Sequence, residues 1–448
     1  MAIAARAPLL QPVFHEPVFG EDGSLPDPTG FSTEHPDDGA VYNQIQDLLK
    51  KDVVAVPPSR IAADQMFSLA EAYGNHGEQV RQIIEQAGKI IFHALGDSGA
   101  SNAGKYAGEL RVADQVTADC LSSSRDNRAA FLFHLGDVVY NFGEAQYYYD
   151  QFYEPFRNYP APIFAIPGNH DSFIVPGRED DPPLDTFQRN FCSEDNVITP
   201  EAGSLHRTAM TQPGVYFALD APFVRIIGLF SNALEDPGVI SNLDGQWPTV
   251  SNLQIDFLRA QLQRIKQENY PGAVLVATHH PPFVYAPAGD STGSGGNHVP
   301  STAMLRQIDT ICQEVGVYPH AFLSAHSHNY QRYTRIMNFG GKEIDVPFII
   351  CGDGGHTVNP LIRSSDGQPA RPPQSGDDVS YLEGKNPVPQ VAKLLLEKYD
   401  DQNYGYLRIH VDKHELKIGF HQVGARSLAQ SRFDMVTVKL DEHIMVAN

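Results

Sequence analysis

The chain has 448 residues, 42% of them hydrophobic and 19% charged, which is material for one large α/β domain or two smaller ones. Fifty-four acids against 33 bases leave a net charge of −21, which argues against a nucleic-acid backbone or an anionic membrane surface as the general partner. No apolar run reaches membrane-spanning length.

The opening stretch, MAIAARAPLLQPVFHEPVFGEDG, has one Arg and a broken apolar patch where a signal peptide would have a long apolar segment. On that reading the protein is cytoplasmic. Cys120, Cys192, Cys312 and Cys351 are scattered, without zinc spacing or a disulfide framework, and read as buried thiols in a reducing cell.

Residues 1–88 are rich in Pro, Asp and Gly, with helical patches at YNQIQDLLKK and DQMFSLAEAYG, and read as an arm laid over one domain spanning 89–448. Short apolar runs then alternate with helical patterns. In order they are KIIFHALGD, AAFLFHLGD, APIFAIPGNHD, FVRIIGLFSNA, AVLVATHHPP, HAFLSAHSH and PFIICGDGGH. Each has strand length and breaks abruptly into Gly, Asp, Asn or His. SNLQIDFLRAQLQRIKQEN has helical periodicity, and QYYYDQFYEPF reads as a helix packed on the sheet. AGDSTGSGGNHVPS and SSDGQPARPPQSGDDVSYLEGKNPVP read as mobile loops, and the tail NYGYLRIHVDKHELKIGFHQV as two strands turning at DKHE. Polar residues gathered at strand ends place a site along one edge of the sheet.

GDSGASNAGKY, after the first strand, admits two readings. From Gly99 it approximates a phosphate-cradling loop, but Tyr106 stands where that loop needs Ser or Thr for magnesium. From Asp97 it is a carboxylate delivered at a strand end, and later strand ends continue the pattern. Asp137 and Tyr140 lie in GDVVY, Asn169, His170 and Asp171 in GNHD, His279 and His280 in THHPP, and His326 and His328 in AHSH. These are oxygen and nitrogen donors for borderline-to-hard metals. A lone strand-end Asp is ordinarily a turn residue or cap; five strand ends in agreement are not. Neighbours on a strand point oppositely, so His279 and His280 cannot both be ligands from one strand face. His93 and His134, inside apolar strands, read as core histidines, and Lys105 as a solvated lysine.

Taken together these motifs resemble the calcineurin-like metallophosphoesterases, and within them the purple acid phosphatases. Gly99 in GDSG stands where the general family has His, GDVVY supplies the Tyr of the purple branch, and GNHD, VATHH, AHSH and CGDGGH match further segments, with Ala325 replacing a Gly. The resemblance implies a four-layer αββα sandwich. It implies one ion held by Asp97, Asp137, Tyr140 and His328, and another by Asp137, Asn169, His279 and His326. Fe(III) is implied at the Tyr140 site and zinc, manganese or Fe(II) at the other. Two such ions orient phosphate and activate water. His170 and His298 are the candidates for the leaving-group proton, with Asp171, His280 and His356 around the substrate or behind the ligands. The expected function is hydrolysis of a small phosphate ester, foremost a monoester. A phosphodiesterase or nucleotidase, and a metal-stabilised interaction module, are the alternatives.

Overall fold

A computed structural model describes residues 39–51, 53–174, 182–203, 205–285, 298–361, 377–378, 391–424 and 428–446. The first 38 residues of the arm and most of the two loops read as mobile lie outside the described residues.

Two sheets face each other. The seven-stranded sheet carries the parallel strands Lys89–Leu95, Leu132–His134 and Ile163–Ala165 at one side. The antiparallel hairpin Gly405–Asp412 and Glu415–Gln422, turning where DKHE was read, continues it beside Lys89–Leu95. The nine-stranded sheet has Val224–Leu229, Ala273–Thr278, Ala321–Ser324 and Lys342–Cys351 as a parallel run.

The two-residue alternation of the strands divides the core. Phe92, Ala94, Phe131, Phe133, Leu219, Ile226, Leu275 and Leu323 meet between the sheets. Phe92 stacks on Phe131 at 4.6 Å, and Phe133 meets Phe217 of the opposite sheet at 5.9 Å. Each such aromatic pair contributes about 0.5–1.5 kcal/mol beyond its buried area. The alternate residues Ile91 and Leu132 turn outward to Val112 and Val116 of the helix Ala103–Ser122. On the far face Ile227, Val276 and Phe322 belong to the same apolar layer as the helices Leu253–Gln267 and Thr302–Val315. Helix, sheet, sheet, helix is the αββα order read from the motifs.

Sequence and structure part at two places. The strand Tyr330–Phe339 has its apolar pattern broken by Gln331, Arg332 and Arg335. Buried Arg335 is tolerated there because Asp309 and the Tyr318 hydroxyl take its guanidinium at 2.7–3.0 Å. The tyrosine-rich run is not a regular helix. It forms a 3₁₀ turn, Ala145–Tyr147, and a π-helical turn, Tyr149–Tyr153, with Tyr147, Tyr148, Phe152 and Tyr153 buried.

The chain before Lys89 is tied to the sandwich at several points. Phe67–Ser68 pairs in parallel with Phe217–Ala221, and the Arg60 guanidinium takes the carbonyls of Cys192, Ser193, Thr211 and Gln212. All four cysteines are buried and unpaired with one another. Among the described residues no helix is long and apolar enough to cross a membrane.

Candidate metal centre

The strand ends that the sequence marks converge. Asp97, Asp137 and Asn169 follow strands of the seven-stranded sheet; His279, His326 and His328 follow strands of the other. Three of them leave the strand in the left-handed region, Asp97 and Asp137 at φ 54° and His326 at φ 68°. For a non-glycine residue that conformation costs about 1–2 kcal/mol, and strain of this kind collects at functional sites. Glycines let the loops close in around them. A Cβ on Gly168 would collide with the Asp137 carboxylate, and one on Gly99 with the Val138 carbonyl.

One half of the centre is built on Tyr140. Its hydroxyl lies 3.0 Å from Asp97 Oδ1, 2.8 Å from Asp137 Oδ2 and 3.3 Å from His328 Nε2. The other ring nitrogen of His328 is taken by the Thr357 hydroxyl at 2.6 Å. The Tyr140 ring lies against His356, with centroids 3.6 Å apart, and beside His170 at 4.3 Å.

The other half is built on His279. Its Nε2 is 3.0 Å from Asn169 Oδ1, 3.4 Å from Asp137 Oδ2 and 3.2 Å from His326 Nδ1. His279 donates from Nδ1 to the Leu135 carbonyl at 2.9 Å, and His326 from Nε2 to the Glu235 carbonyl at 2.6 Å. These carbonyls fix a proton on each outer nitrogen and leave the inner ones, His279 Nε2 and His326 Nδ1, as the atoms a metal would take in exchange for any proton there. Asp137, His279 and His326 are all buried, and their donor atoms lie within 4.8 Å of one another. Asp137 borders both halves.

The electrostatics fit a cation. Burial would raise the Asp137 carboxyl, but the charges of His279 and His170 and bonds from His279 and Tyr140 outweigh it and hold it well below the usual range. Burial likewise works to lower His279, and Asp137 overcomes it, lifting the imidazole to about 9. Burial and then the charges of Asp137 and Asp97 push the Tyr140 phenol far up. A bound metal reverses that logic and favours the phenolate. Separations of 2.8–3.4 Å are also those of neighbouring ligands on one ion, about 3 Å for bonds near 2 Å.

The surrounding residues have distinct tasks. His170 donates from Nδ1 to the Asn141 carbonyl at 2.7 Å, and its backbone N–H reaches Asp137 at 3.0 Å. Asp171 accepts the N–H groups of Val138, Val139 and Gly168 at 2.9–3.1 Å, bracing the loop that carries Asp137 and Tyr140. Burial and the Asp137 charge raise its carboxyl to about 6. His280 has both ring nitrogens committed, to Ser231 and to the Leu234 carbonyl, each at 2.8 Å, so neither faces the candidate centre. His298 reaches the edge of the centre, its ring 3.9 Å from that of His326. His93 and His134 are fully buried and hydrogen-bonded, as core histidines. Lys105 corrects the reading of a solvated lysine. It is half-buried, with its amine on Ser101 at 2.8 Å and His356 Nε2 at 2.9 Å.

The sequence profile of calcineurin-like phosphoesterases matches residues 92–330, just over half the chain and the stretch that carries all seven proposed ligands. The chain belongs to the calcineurin-like phosphoesterase family. No curated protein matches it. The solved structures it resembles include GAP50, described as the anchor in the inner membrane complex of Plasmodium, at 9% identity and a TM-score of 0.46 over 80% of this chain and 91% of that one. PhoD gives 12% identity and a TM-score of 0.44 over 80% and 71%. An uncharacterised Streptococcus pneumoniae protein, described as a predicted phosphoesterase, gives 8% identity and 0.27 over 78% and 98%. All three scores fall below 0.5, so the assignment rests on the profile match.

As a calcineurin-like phosphoesterase the chain is of a metal-dependent phosphoester-hydrolase family, and its His and Asp cluster is suited to metal. Four residues that hold the side chains of this candidate centre escaped the reading of the sequence. Gln151 clamps the Tyr140 peptide, accepting from its N–H at 2.8 Å and donating to its carbonyl at 2.6 Å. Thr357, Glu235 and Asp236 hold His328, His326 and His298. Only the "ED" in SNALEDPG, between two site strands, carried any signal for them.

Proposed function

We propose that this phosphoesterase is a phosphomonoesterase of the purple acid phosphatase type acting on small phosphate esters, with ferric iron beside Tyr140 and zinc, manganese or ferrous iron beside His279. The observation that carries the reading is the Tyr140 hydroxyl set between Asp97, Asp137 and His328. Phenol and carboxylate oxygens form a donor set for a hard, highly charged ion. Gly99 supports it, because a larger side chain there would collide with the loop that presents Tyr140.

When bound, two ions would neutralise and orient phosphate and make water a nucleophile near neutral pH. They would also make an anion welcome in a chain of net charge −21. The protein's own residues do the rest. Asp97, Asp137, Tyr140, Asn169 and the three histidines would hold the ions, and Asp171 and Gln151 keep the Tyr140 loop in place. His170 has Nδ1 fixed on Asn141, so Nε2 is the atom from which it would pass a proton to the leaving alcohol.

The test combines metal content, colour and turnover. We expect two ions per chain, a visible charge-transfer band that Tyr140→Phe removes, and faster turnover of p-nitrophenyl phosphate than of bis(p-nitrophenyl) phosphate. Preference for the diester would make the protein a phosphodiesterase. An iron-loaded wild type without colour would remove iron from Tyr140, and no turnover with both ions bound would favour an interaction module.

A further inference from the structure

We propose that the segment Leu234–Asp236 braces the His279 half of the centre and that Glu235 is its positioning residue, an inference that rests on the metal-centre reading above. Three consecutive residues each take a side chain of the site. The Leu234 carbonyl accepts from His280 Nε2 at 2.8 Å, the Glu235 carbonyl from His326 Nε2 at 2.6 Å, and Asp236 Oδ2 faces His298 Nδ1 at 3.3 Å. Glu235 also acts through its side chain, where Oε2 accepts from the Asn169 amide nitrogen at 3.4 Å.

The chemistry of these acceptors decides which atoms face inward. An asparagine amide can turn either its oxygen or its nitrogen to a neighbour. A carboxylate only accepts, so Glu235 takes the NH₂ and leaves Asn169 Oδ1 directed at the His279 side, 3.0 Å from Nε2. A carbonyl only accepts too. It fixes the His326 proton on Nε2 and leaves the Nδ1 lone pair for an ion. One residue thus orients two ligands.

The brace is anchored from the chain's N-terminal part. The Glu235 N–H donates to Gln46 Oε1 at 3.2 Å, from the helix Gly39–Leu49. Nearby, the Asn232 side chain exchanges two hydrogen bonds with the Val54 backbone, at 3.1 and 2.8 Å. A competing role is visible in the same atoms, since Glu235, His298 and His326 offer donors within 4.8 Å of one another. Direct ligation by Glu235 predicts a different response to an amide.

The experiment titrates metal-free wild type, Glu235→Ala and Glu235→Gln with Zn²⁺ alone by calorimetry, with elemental analysis of the products. Wild type should take two ions. Glu235→Ala should keep one and bind the other ~10–100-fold more weakly, the usual effect of removing an outer partner of a ligand. Glu235→Gln, whose amide oxygen still accepts from Asn169, should recover most of that loss, and the metal-free proteins should melt alike. Wild-type affinity for both ions in Glu235→Ala would overturn the proposal, and a Gln variant as weak as Ala would replace it with direct ligation. If Glu235→Ala does not fold, Gln46→Ala should weaken the same ion by a smaller factor, and no change would overturn the brace. A wild type that takes fewer than two ions would sink the metal-centre reading and this inference together.

Discussion

Asp97 and Lys105 leave the same strand end for different tasks. Asp97 turns its carboxylate to Tyr140 and to the His326 N–H, at 3.0 and 2.7 Å. Lys105 opens a helix whose first turn is capped by Asn102, and its amine goes to Ser101 and His356. A phosphate-loop lysine would point at transferring phosphate and would be indispensable. We therefore expect Asp97→Asn to abolish nearly all turnover and to lower metal content, because the amide has lost the charge that faces an ion. Lys105→Ala should stay within a few-fold of wild type, since it removes one partner of a histidine that Gly99 still holds. Steady-state kinetics beside elemental analysis checks both. A severe Lys105 defect with both ions retained would revive the phosphate-loop reading of GDSGASNAGKY.

At the scale of elements, the two sheets are pinned at one edge by charge. Arg332 of the nine-stranded sheet meets Asp434 of the other at 2.6 and 3.1 Å, and the Tyr330 hydroxyl adds a bond at 2.8 Å. Burial would raise the Asp434 carboxyl, but these partners, Arg332 foremost, hold it below its ordinary value. A depressed carboxyl contributes stability that is whole above the unfolded pKa, about 4, and is lost as pH falls through the lower folded value. Asp434→Asn should therefore cost about 3 kcal/mol at pH 7, the low end for a broken buried pair because both groups keep a little solvent contact. Below about pH 4 the gap from wild type should narrow. Urea unfolding of chelated protein across that pH range measures it, and a gap independent of pH would remove the ion pair as its cause. This edge also shows what the sequence hid. The strands that end in site residues are short apolar runs and were legible. Tyr330–Phe339 was not, because its arginines are buried through partners distant in sequence.

For the whole molecule, the decisive fact is that the proposed ligands come from both sheets. Asp97, Asp137 and Asn169 belong to one, and His279, His326 and His328 to the other. Ions bound among them would cross-link the sandwich across its edge. Binding to the folded state alone stabilises by about 2.7 kcal/mol at a hundred times the dissociation constant. Chelation should therefore lower the melting temperature by several degrees, and returning metal should restore it in a concentration-dependent way. Identical melting with and without chelator, after elemental analysis confirms that both ions have gone, would mean the centre bears no part of the fold's stability. The proposed Asp, Asn and His ligands were legible in the sequence because they sit at or just past the abrupt end of an apolar run, whereas Tyr140, three residues beyond Asp137 in GDVVY, was named through the family resemblance. The holders were not legible. Gln151 lies in the run that read as a helix packed on the sheet, and Thr357 and Glu235 lie in loops with no periodicity, so only folding brings them to the site.

The left-handed backbone at Asp97, Asp137 and His326 has a consequence for how such a protein would age. Glycine adopts that conformation at no steric cost, whereas each present residue is kept there against a local preference. While the chemistry is under selection the strain persists. In a lineage released from it, substitution to glycine at these three positions would relieve backbone strain, so drift should run in that direction. A descendant with glycine at the ends of these strands would carry, in its sequence alone, the record of a lost activity on an intact sandwich.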